Sequence, residues 1–262
     1  MNAFLAAFWA EALKARRSRV SLLTGAGFLI LPLVGGLFMF ILKNPEQARA
    51  MGLISVKAQI TAAVADWPTY FGILTMGSAI AGSILFAMIT AWVFGREFSD
   101  HTAKELLALP TSRGIIVGAK FVLTVLWILG LSLFVFAIAL AIGAAVDIPG
   151  WSLDLAWTSF WSLMLAVVLT CMLMPCVALF ASVGRGYLPP LGWAFLTLAL
   201  AQIVSVMGWS DWFPWAVPGL LSSLNGPRAE PIALHSYVVV LLVFIAGLGA
   251  TFAWWRSADQ AR

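Results

Sequence analysis

Charged residues are scarce in this sequence. They make up 10% of the 262 residues, whereas 62% are hydrophobic, and the mean hydropathy is +1.00. A soluble domain has roughly 25% charged and 45–50% apolar residues, and its core cannot hide this much apolar surface. The composition therefore excludes an ordinary water-soluble fold and predicts a protein of the lipid bilayer.

Cysteine and histidine are also rare, with two residues of each type. Cys171 and Cys176 lie inside one apolar run, where a free cysteine is typically a small buried hydrophobic residue. His101 and His235 fall on opposite sides of the membrane in the topology derived below, so they cannot share a metal ion. We therefore predict no metal site and no catalytic residues, and we expect the chain not to be an enzyme.

Two sequence features that would identify an energy source are missing. There is no G-x-x-x-x-G-K-[ST] phosphate loop, so we expect no directly bound cofactor and any ATP and Mg²⁺ on a partner subunit. None of the eleven acidic residues lies in the middle of a long apolar run, where proton- or sodium-driven transporters commonly keep one. The pI of about 9.4 does not indicate nucleic acid, because the basic residues follow the membrane boundaries.

Long uncharged runs dominate what is present. A helix crosses the hydrocarbon core with about 20 apolar residues, whereas strands of a membrane barrel alternate in segments of about ten residues. No run here alternates, and the backbone must be hydrogen-bonded internally in lipid, so the runs predict helices. The predicted fold class is all-α, a polytopic membrane protein with a single transmembrane domain over residues 1–262. The six spans are predicted at about 20–42, 69–94, 115–144, 155–183, 188–208 and 235–255.

The distribution of Lys and Arg predicts the orientation. Six spans put both termini on one side of the membrane, and positive residues near span ends are retained in the cytoplasm. With both termini cytoplasmic, that side holds eleven of the fifteen basic residues. These are Lys14, Arg16, Arg17, Arg19, Arg96, Lys104, Arg113, Lys120, Arg185, Arg256 and Arg262. We therefore expect a multi-pass protein of the cell inner (plasma) membrane, with membrane lipid as a partner.

Two segments outside the spans have patterns of their own. Residues 1–19 predict an interfacial helix on the membrane surface, with Phe8 and Trp9 on an apolar face and Glu11, Lys14 and Arg17 facing away from it. The stretch 208–231, before the last span, combines prolines with three tryptophans, which favour the headgroup layer. It predicts a broken or re-entrant external segment.

The longest polar stretch on the predicted cytoplasmic side covers residues 95–120. Residues 95–114 predict a separate amphipathic helix that Ser99 or Asp100 caps at its N-terminus and Pro110 stops. Leu106 and Leu107 would give it an apolar face for a partner. The alternative is a solvated loop whose charges only set the topology.

The residue order in this stretch resembles the corresponding loop of type-2 ABC exporter permeases. In that family a Glu is followed by a Gly-Thr step, two leucines, a Pro, a Ser-Arg pair and a Lys that leads into the third span. The matching residues are Glu97, Thr102, Leu106, Leu107, Pro110, Ser112, Arg113 and Lys120. The family's usual glycine before the threonine is His101 here. The helix before the first span and the broken segment before the sixth are also family features.

The resemblance implies that residues 95–114 form a coupling helix seated in a cleft of a separate ABC ATPase subunit. It implies an exporter in which two permease subunits, identical or related, form the pathway, while ATP and Mg²⁺ act on the ATPase subunits. The eight matching residues are then predicted partner contacts, with Glu97 and Arg113 flanking them, and no substrate-binding residue is predicted. The alternative is an ion-coupled secondary transporter or a channel-type protein, whose transport persists without ATP.

Overall fold

The computed structural model describes residues 2–52, 64–102, 105, 111–224 and 231–257, and within these ranges the chain is helical with no β-strand. The helices are α1 Ala3–Arg17, α2 Arg19–Lys43, α3 Pro45–Ala50, α4 Trp67–Ser99, α5 Arg113–Ala145, α6 Leu153–Met172, α7 Met174–Val183, α8 Leu188–Val206, a 3₁₀ helix Val217–Leu221, and α9 Leu234–Ser257.

In the described part of the chain, six helical units are long and apolar enough to cross a membrane. They are α2, α4, α5, the α6–α7 pair taken together, α8 and α9. This confirms the predicted fold class, a polytopic membrane protein with six transmembrane helices. The fourth unit is interrupted at Leu173, because Pro175, at the start of α7, has no backbone N–H to donate to the preceding turn.

The α6–α7 pair lies at the centre of the bundle, where it packs on α4 and α9. Gly247 of α9 allows a close approach, since a Cβ there would stand 3.0 Å from the backbone nitrogen of Cys176. Thr251, one turn further along α9, donates its hydroxyl to the carbonyl of Pro175 at 3.1 Å. Close contact and hydrogen bonding thus hold the interrupted span where its own ladder is broken.

The segment before α9 is broken, as the sequence predicts. Its 3₁₀ helix packs on α4 and α6, with Val217 and Pro218 buried. The Ser222 hydroxyl donates to the carbonyl of Gly72 in α4 at 2.8 Å. A Cβ at Gly72 would stand 2.9 Å from the backbone nitrogen of Leu224, so only glycine admits this chain so closely.

One end of the bundle gathers α1, the end of α4, the start of α5 and the end of α9, and we call it the loop end. The other end, which we call the opposite end, contains the α2–α3 junction, the start of α4 and the α5–α6 turn. Lys43 pairs there with Asp147 at 2.9 Å. Trp67 closes this end by packing on Gly143 and on the ring of Trp151.

The contact between Trp67 and Gly143 predicts a stability difference between two glycines of α5. A Cβ at Gly143 would stand 2.3 Å from the Trp67 ring, whereas a Cβ at Gly130 meets no atom within 4 Å. Gly143→Ala should therefore destabilise the protein by about 1–3 kcal/mol through overpacking. Thermal unfolding in detergent measures this effect, and Gly130→Ala is the matched control. Equal melting temperatures for the two variants would contradict the packing described here.

Candidate functional site

The two helices that flank the predicted coupling segment extend further than the sequence suggests. Residues 95–99 continue α4, and Asp100 is its C-cap, so the prediction that Ser99 or Asp100 starts a new helix is wrong. At the other side Ser112 is the N-cap of α5 and accepts from the backbone N–H of Ile115. The connection between the two helices is thus residues 100–112. Leu106, Leu107 and Pro110 lie outside the described residues, and a coupling helix there stays a prediction.

The turn that ends α4 contains His101, the residue that stands where the family usually has a glycine. Its φ is +58°, a left-handed conformation that glycine adopts without strain and other residues rarely adopt. The backbone N–H of Thr102 donates to the carbonyl of Glu97 at 2.9 Å, and that of His101 to Phe98 at 3.3 Å. This hydrogen-bond pair is the Schellman motif that ends many helices, usually with glycine at the left-handed residue. His101 preserves the turn despite the different side chain.

Four charged side chains meet just inside this turn, and we call Glu11, Lys14, Glu97 and Lys120 the charge cluster. Lys120 Nζ lies 2.7 Å from Glu97 Oε1 and 3.2 Å from Glu11 Oε2. Lys14 Nζ lies 2.7 Å from Glu11 Oε1 and 3.0 Å from Glu97 Oε1. Each lysine therefore bridges both carboxylates, and the cluster joins α1, α4 and α5.

Three of the four side chains of the charge cluster are shielded from solvent. Lys120 is fully buried, Glu97 is 3% exposed and Glu11 is 5% exposed. A buried charge is tolerated when it is paired and hydrogen-bonded, and Lys120 also donates to the carbonyl of Val93 at 2.7 Å. The two positive and two negative groups balance, which removes the largest cost of burying them.

Lys14 lies at the solvent edge of the cluster. Partial burial opposes the positive charge of Lys14, but the carboxylates of Glu97 and Glu11 outweigh it and hold the Lys14 pKa above its ordinary value. Lys14 is therefore charged throughout the physiological pH range. Glu11 and Lys14, which the sequence predicts to face away from the apolar face of α1, both turn toward α4 and α5. Leu5 and Trp9 are instead the exposed apolar residues of α1.

Arg113 fixes the start of α5 to the last helix. Its Nη1 donates to the carbonyl oxygens of Trp255 and Arg256, both at 3.3 Å. These carbonyls belong to the last turn of α9, where a cation is favoured by the helix dipole and by the free carbonyl groups. The Trp255 indole in turn donates to the hydroxyl of Ser182 in α7 at 2.9 Å. Arg113 therefore connects α5 to α9 and, through Trp255, to α7.

The structure thus divides the eight predicted partner contacts. Glu97 and Lys120 bind each other inside the chain, and Arg113 binds α9. Thr102 and Ser112 are exposed at the two ends of the connection. Contact with a partner stays a prediction for all eight residues. Sequence reasoning missed Glu11 and Lys14, although their spacing of three residues on a helix is a signal for an ion pair.

The part of the chain that the structure describes contains no group of His, Cys, Asp or Glu residues able to hold a metal ion.

The family of the chain follows from comparison with known proteins. A family model for the ABC-2 family transporter protein matches residues 7–201. The chain belongs to the ABC-2 transporter family. The match begins within α1 and ends within α8, so it includes the whole charge cluster and the connection 100–112.

One curated relative of this chain is itself named as a transport permease. The chain is 26% identical over 181 residues to the bacitracin transport permease protein BCRB of Bacillus licheniformis. The similarity covers 69% of this chain and 86% of the relative. Together with the six spans, the family match makes the chain the membrane-spanning permease subunit of an ABC transporter. Membership of this family implies ATPase subunits as partners.

The burial of the charge cluster predicts an unequal effect of removing two lysines. Lys120→Met leaves two buried carboxylates with only Lys14 between them, and we expect a loss of about 3–5 kcal/mol in stability. The control, Lys43→Met, removes an exposed pair at the opposite end and should cost less than about 1 kcal/mol. Detergent-solubilised protein unfolded by heat or denaturant gives both values. If the two variants are equally stable, the cluster does not stabilise the loop end.

Proposed function

We propose that this ABC-2 permease is an exporter subunit that forms the cargo pathway as a dimer and is driven by separate ATPase subunits. The observation that carries the proposal is the attachment of the connection 100–112 to the bundle at both ends. Glu97 on the α4 side and Lys120 on the α5 side attach both ends to α1, and Arg113 attaches the α5 side to α9 as well. An ATPase subunit that binds this connection thereby displaces four helices together.

The rigidity of the flanking helices supports this mechanism. α4 and α5 each contain 33 residues, and both run from the connection to the opposite end. A displacement at one end of a packed helix is transmitted along it, because packed cores shift between discrete arrangements rather than deform smoothly. The chain provides this mechanical element, while ATP and Mg²⁺ are bound and hydrolysed on the ATPase subunit.

We place the loop end in the cytoplasm and the protein in the plasma membrane, surrounded by membrane lipid. Arg16, Arg17 and Arg19 are exposed at the junction of α1 and α2, on the loop end. Exposed basic residues beside a span are retained on the cytoplasmic side and are attracted by anionic headgroups. The same orientation presents the connection 100–112 to a cytoplasmic ATPase.

A dimer supplies the second half of the pathway. α2 and α8 bury little of their surface within one subunit and expose apolar side chains along much of their length. Either lipid or a second permease subunit covers such faces. We propose that a second copy of this chain or a related chain covers part of them.

A cavity of about 410 Å³ suggests the class of cargo. It lies between α4, α8 and the segment of the 3₁₀ helix, and both polar and apolar side chains line it. The polar ones are Gln202, Ser205, Ser210 and Ser222, and the apolar ones include Met76, Ile80 and Trp215. Such a lining suits an amphiphilic molecule. Since the relative is named for bacitracin transport, we propose an amphiphilic peptide as cargo.

The partner contact is tested by purifying the chain from native membranes in mild detergent. We expect an ATPase subunit to co-purify, and Leu106→Asp with Leu107→Asp to lower its recovery roughly tenfold, because charge is costly in an apolar contact. Met51→Asp is the matched control, since Met51 is exposed at the opposite end. A chain that never retains an ATPase, but transports along an ion gradient without ATP, would establish the secondary-transporter alternative.

The proposed cargo site is tested by cysteine labelling in a chain with Cys171 and Cys176 replaced by alanine. We expect bacitracin to slow maleimide labelling of Gln202→Cys by roughly threefold or more, because a bound ligand buries most pocket surface. Leu196→Cys on the same helix is exposed and does not line the cavity, so its labelling should not change. Equal effects of bacitracin at the two positions would exclude this cavity as a site for that peptide.

A further inference from the structure

The helix α1 is attached to the bundle along its whole length. Near its start, Phe4 lies against Gly118 of α5, where a Cβ would be 3.8 Å from the Phe4 ring. Near its end, Ala15 is buried and its carbonyl accepts from the Ser21 hydroxyl at 2.6 Å. The charge cluster lies between these contacts. α1 is thus a packed part of the loop end and not only a helix resting on a membrane surface.

The charges of α1 fall into two groups. Glu11 and Lys14 point into the charge cluster, whereas Arg16 and Arg17 are exposed and form no ion pair with any residue that the structure describes. A helix that only lies in the interface keeps its charges in water, since burying them is costly. The buried carboxylate of Glu11 and the half-buried ammonium of Lys14, paired with Lys120 and Glu97, therefore indicate a specific attachment of α1 to α4 and α5.

We propose that Glu11 and Lys14 are positioning residues that latch α1 to the ends of the connection 100–112, so that α1 moves with it during transport. This inference rests on the proposed function. Glu97 lies three residues before the connection, and Lys120 lies two helical turns after it. Any displacement of the connection moves both residues. The carboxylate of Glu11 and the ammonium of Lys14 then carry α1 along, because separating buried opposite charges is strongly unfavourable.

Through the latch, a movement of the connection is also transmitted to the first span, α2. Only Ser18 separates α1 from α2, and it serves as the C-cap of one helix and the N-cap of the other. Its hydroxyl accepts from the backbone N–H of Val20 at 3.2 Å. A junction of one hydrogen-bonded residue allows the two helices little independent movement. A displacement of α1 is therefore transmitted to the end of α2 that lies at the loop end. The connection thereby acts on α2 as well as on the two helices it joins.

Two cysteine reporters test the latch in the full transporter with its ATPase subunit, again with Cys171 and Cys176 replaced by alanine. Ala15→Cys, in inside-out vesicles, reports with an impermeant maleimide whether α1 stays docked. Gln202→Cys reports whether ATP changes the cavity in the other half of the bundle. The test substitution is Glu11→Gln, which keeps the size of the side chain. The matched control is Arg17→Gln, an exposed position of the same helix.

We expect Glu11→Gln to speed labelling of Ala15→Cys about tenfold and to reduce the ATP-dependent change at Gln202→Cys by at least about half, with Arg17→Gln altering neither. Unchanged labelling at Ala15→Cys would overturn the latch, and so would an undocked α1 with a full ATP response. If ATP never affects Gln202→Cys in the chain with Glu11 intact, the proposed function fails, and so does the movement of α1 that rests on it. Labelling of Ala15→Cys still measures the attachment of α1 in that case. The two reporters therefore distinguish a failure of the proposed function from a failure of the latch.

Discussion

Burial of charge in a protein with few charged residues is the constraint on which the loop end depends. Lys120 is completely shielded, and two carboxylates and the Val93 carbonyl supply the hydrogen bonds and the opposite charge that its burial requires. The carboxylates come from α1 and α4, so pairing them with Lys120 sets the relative positions of three helices. The membrane-facing surface needs no such specificity, since its apolar side chains pack against lipid in many arrangements.

The same constraint determines how the connection 100–112 is held. The charge cluster attaches both sides to α1 through Glu97 and Lys120, while Arg113 also attaches the α5 side to the carbonyl end of α9. α9 is in turn held to α7 by Thr251, next to the interruption at Leu173, and by Trp255, near the end of α7. Forces on the connection thus reach α1, α4, α5 and α9 directly and the interrupted span indirectly. This arrangement suits a permease whose energy comes from another subunit.

The six spans were predictable because the length of an uncharged run is a direct measure of membrane crossing. The residues at which the helices end were less predictable at the loop end. Because charged side chains usually lie in water, the sequence predicts that the second span ends before Arg96 and Glu97 and that Glu11 faces away from the apolar face of α1. α4 continues to Ser99 because Glu97 forms ion pairs with two lysines, one of which is 83 residues away in the chain. Pairing over such a distance leaves no periodic signal in a single sequence.

His101 shows a second limit of sequence patterns. Histidine replaces the family's glycine at this position, yet the left-handed backbone and both Schellman hydrogen bonds are present. The backbone geometry is set by the carbonyl groups at the end of α4, and histidine is among the residues that tolerate a positive φ. The broken segment before α9 was predictable from its prolines, whereas its hydrogen bond to Gly72 was not.

The most direct test of the account is a distance measurement between spin labels on Trp9 of α1 and Thr102 of the connection, both exposed in the permease. The transporter is compared without nucleotide and with ATP trapped, while closure of the ATPase subunits is followed in the same sample. The account predicts that the Trp9–Thr102 distance stays constant within about 2 Å, because buried ion pairs hold α1 to both ends of the connection. A change of about 5 Å or more as the ATPases close, on the scale of one helical turn, would show that the connection moves without α1 and would contradict it.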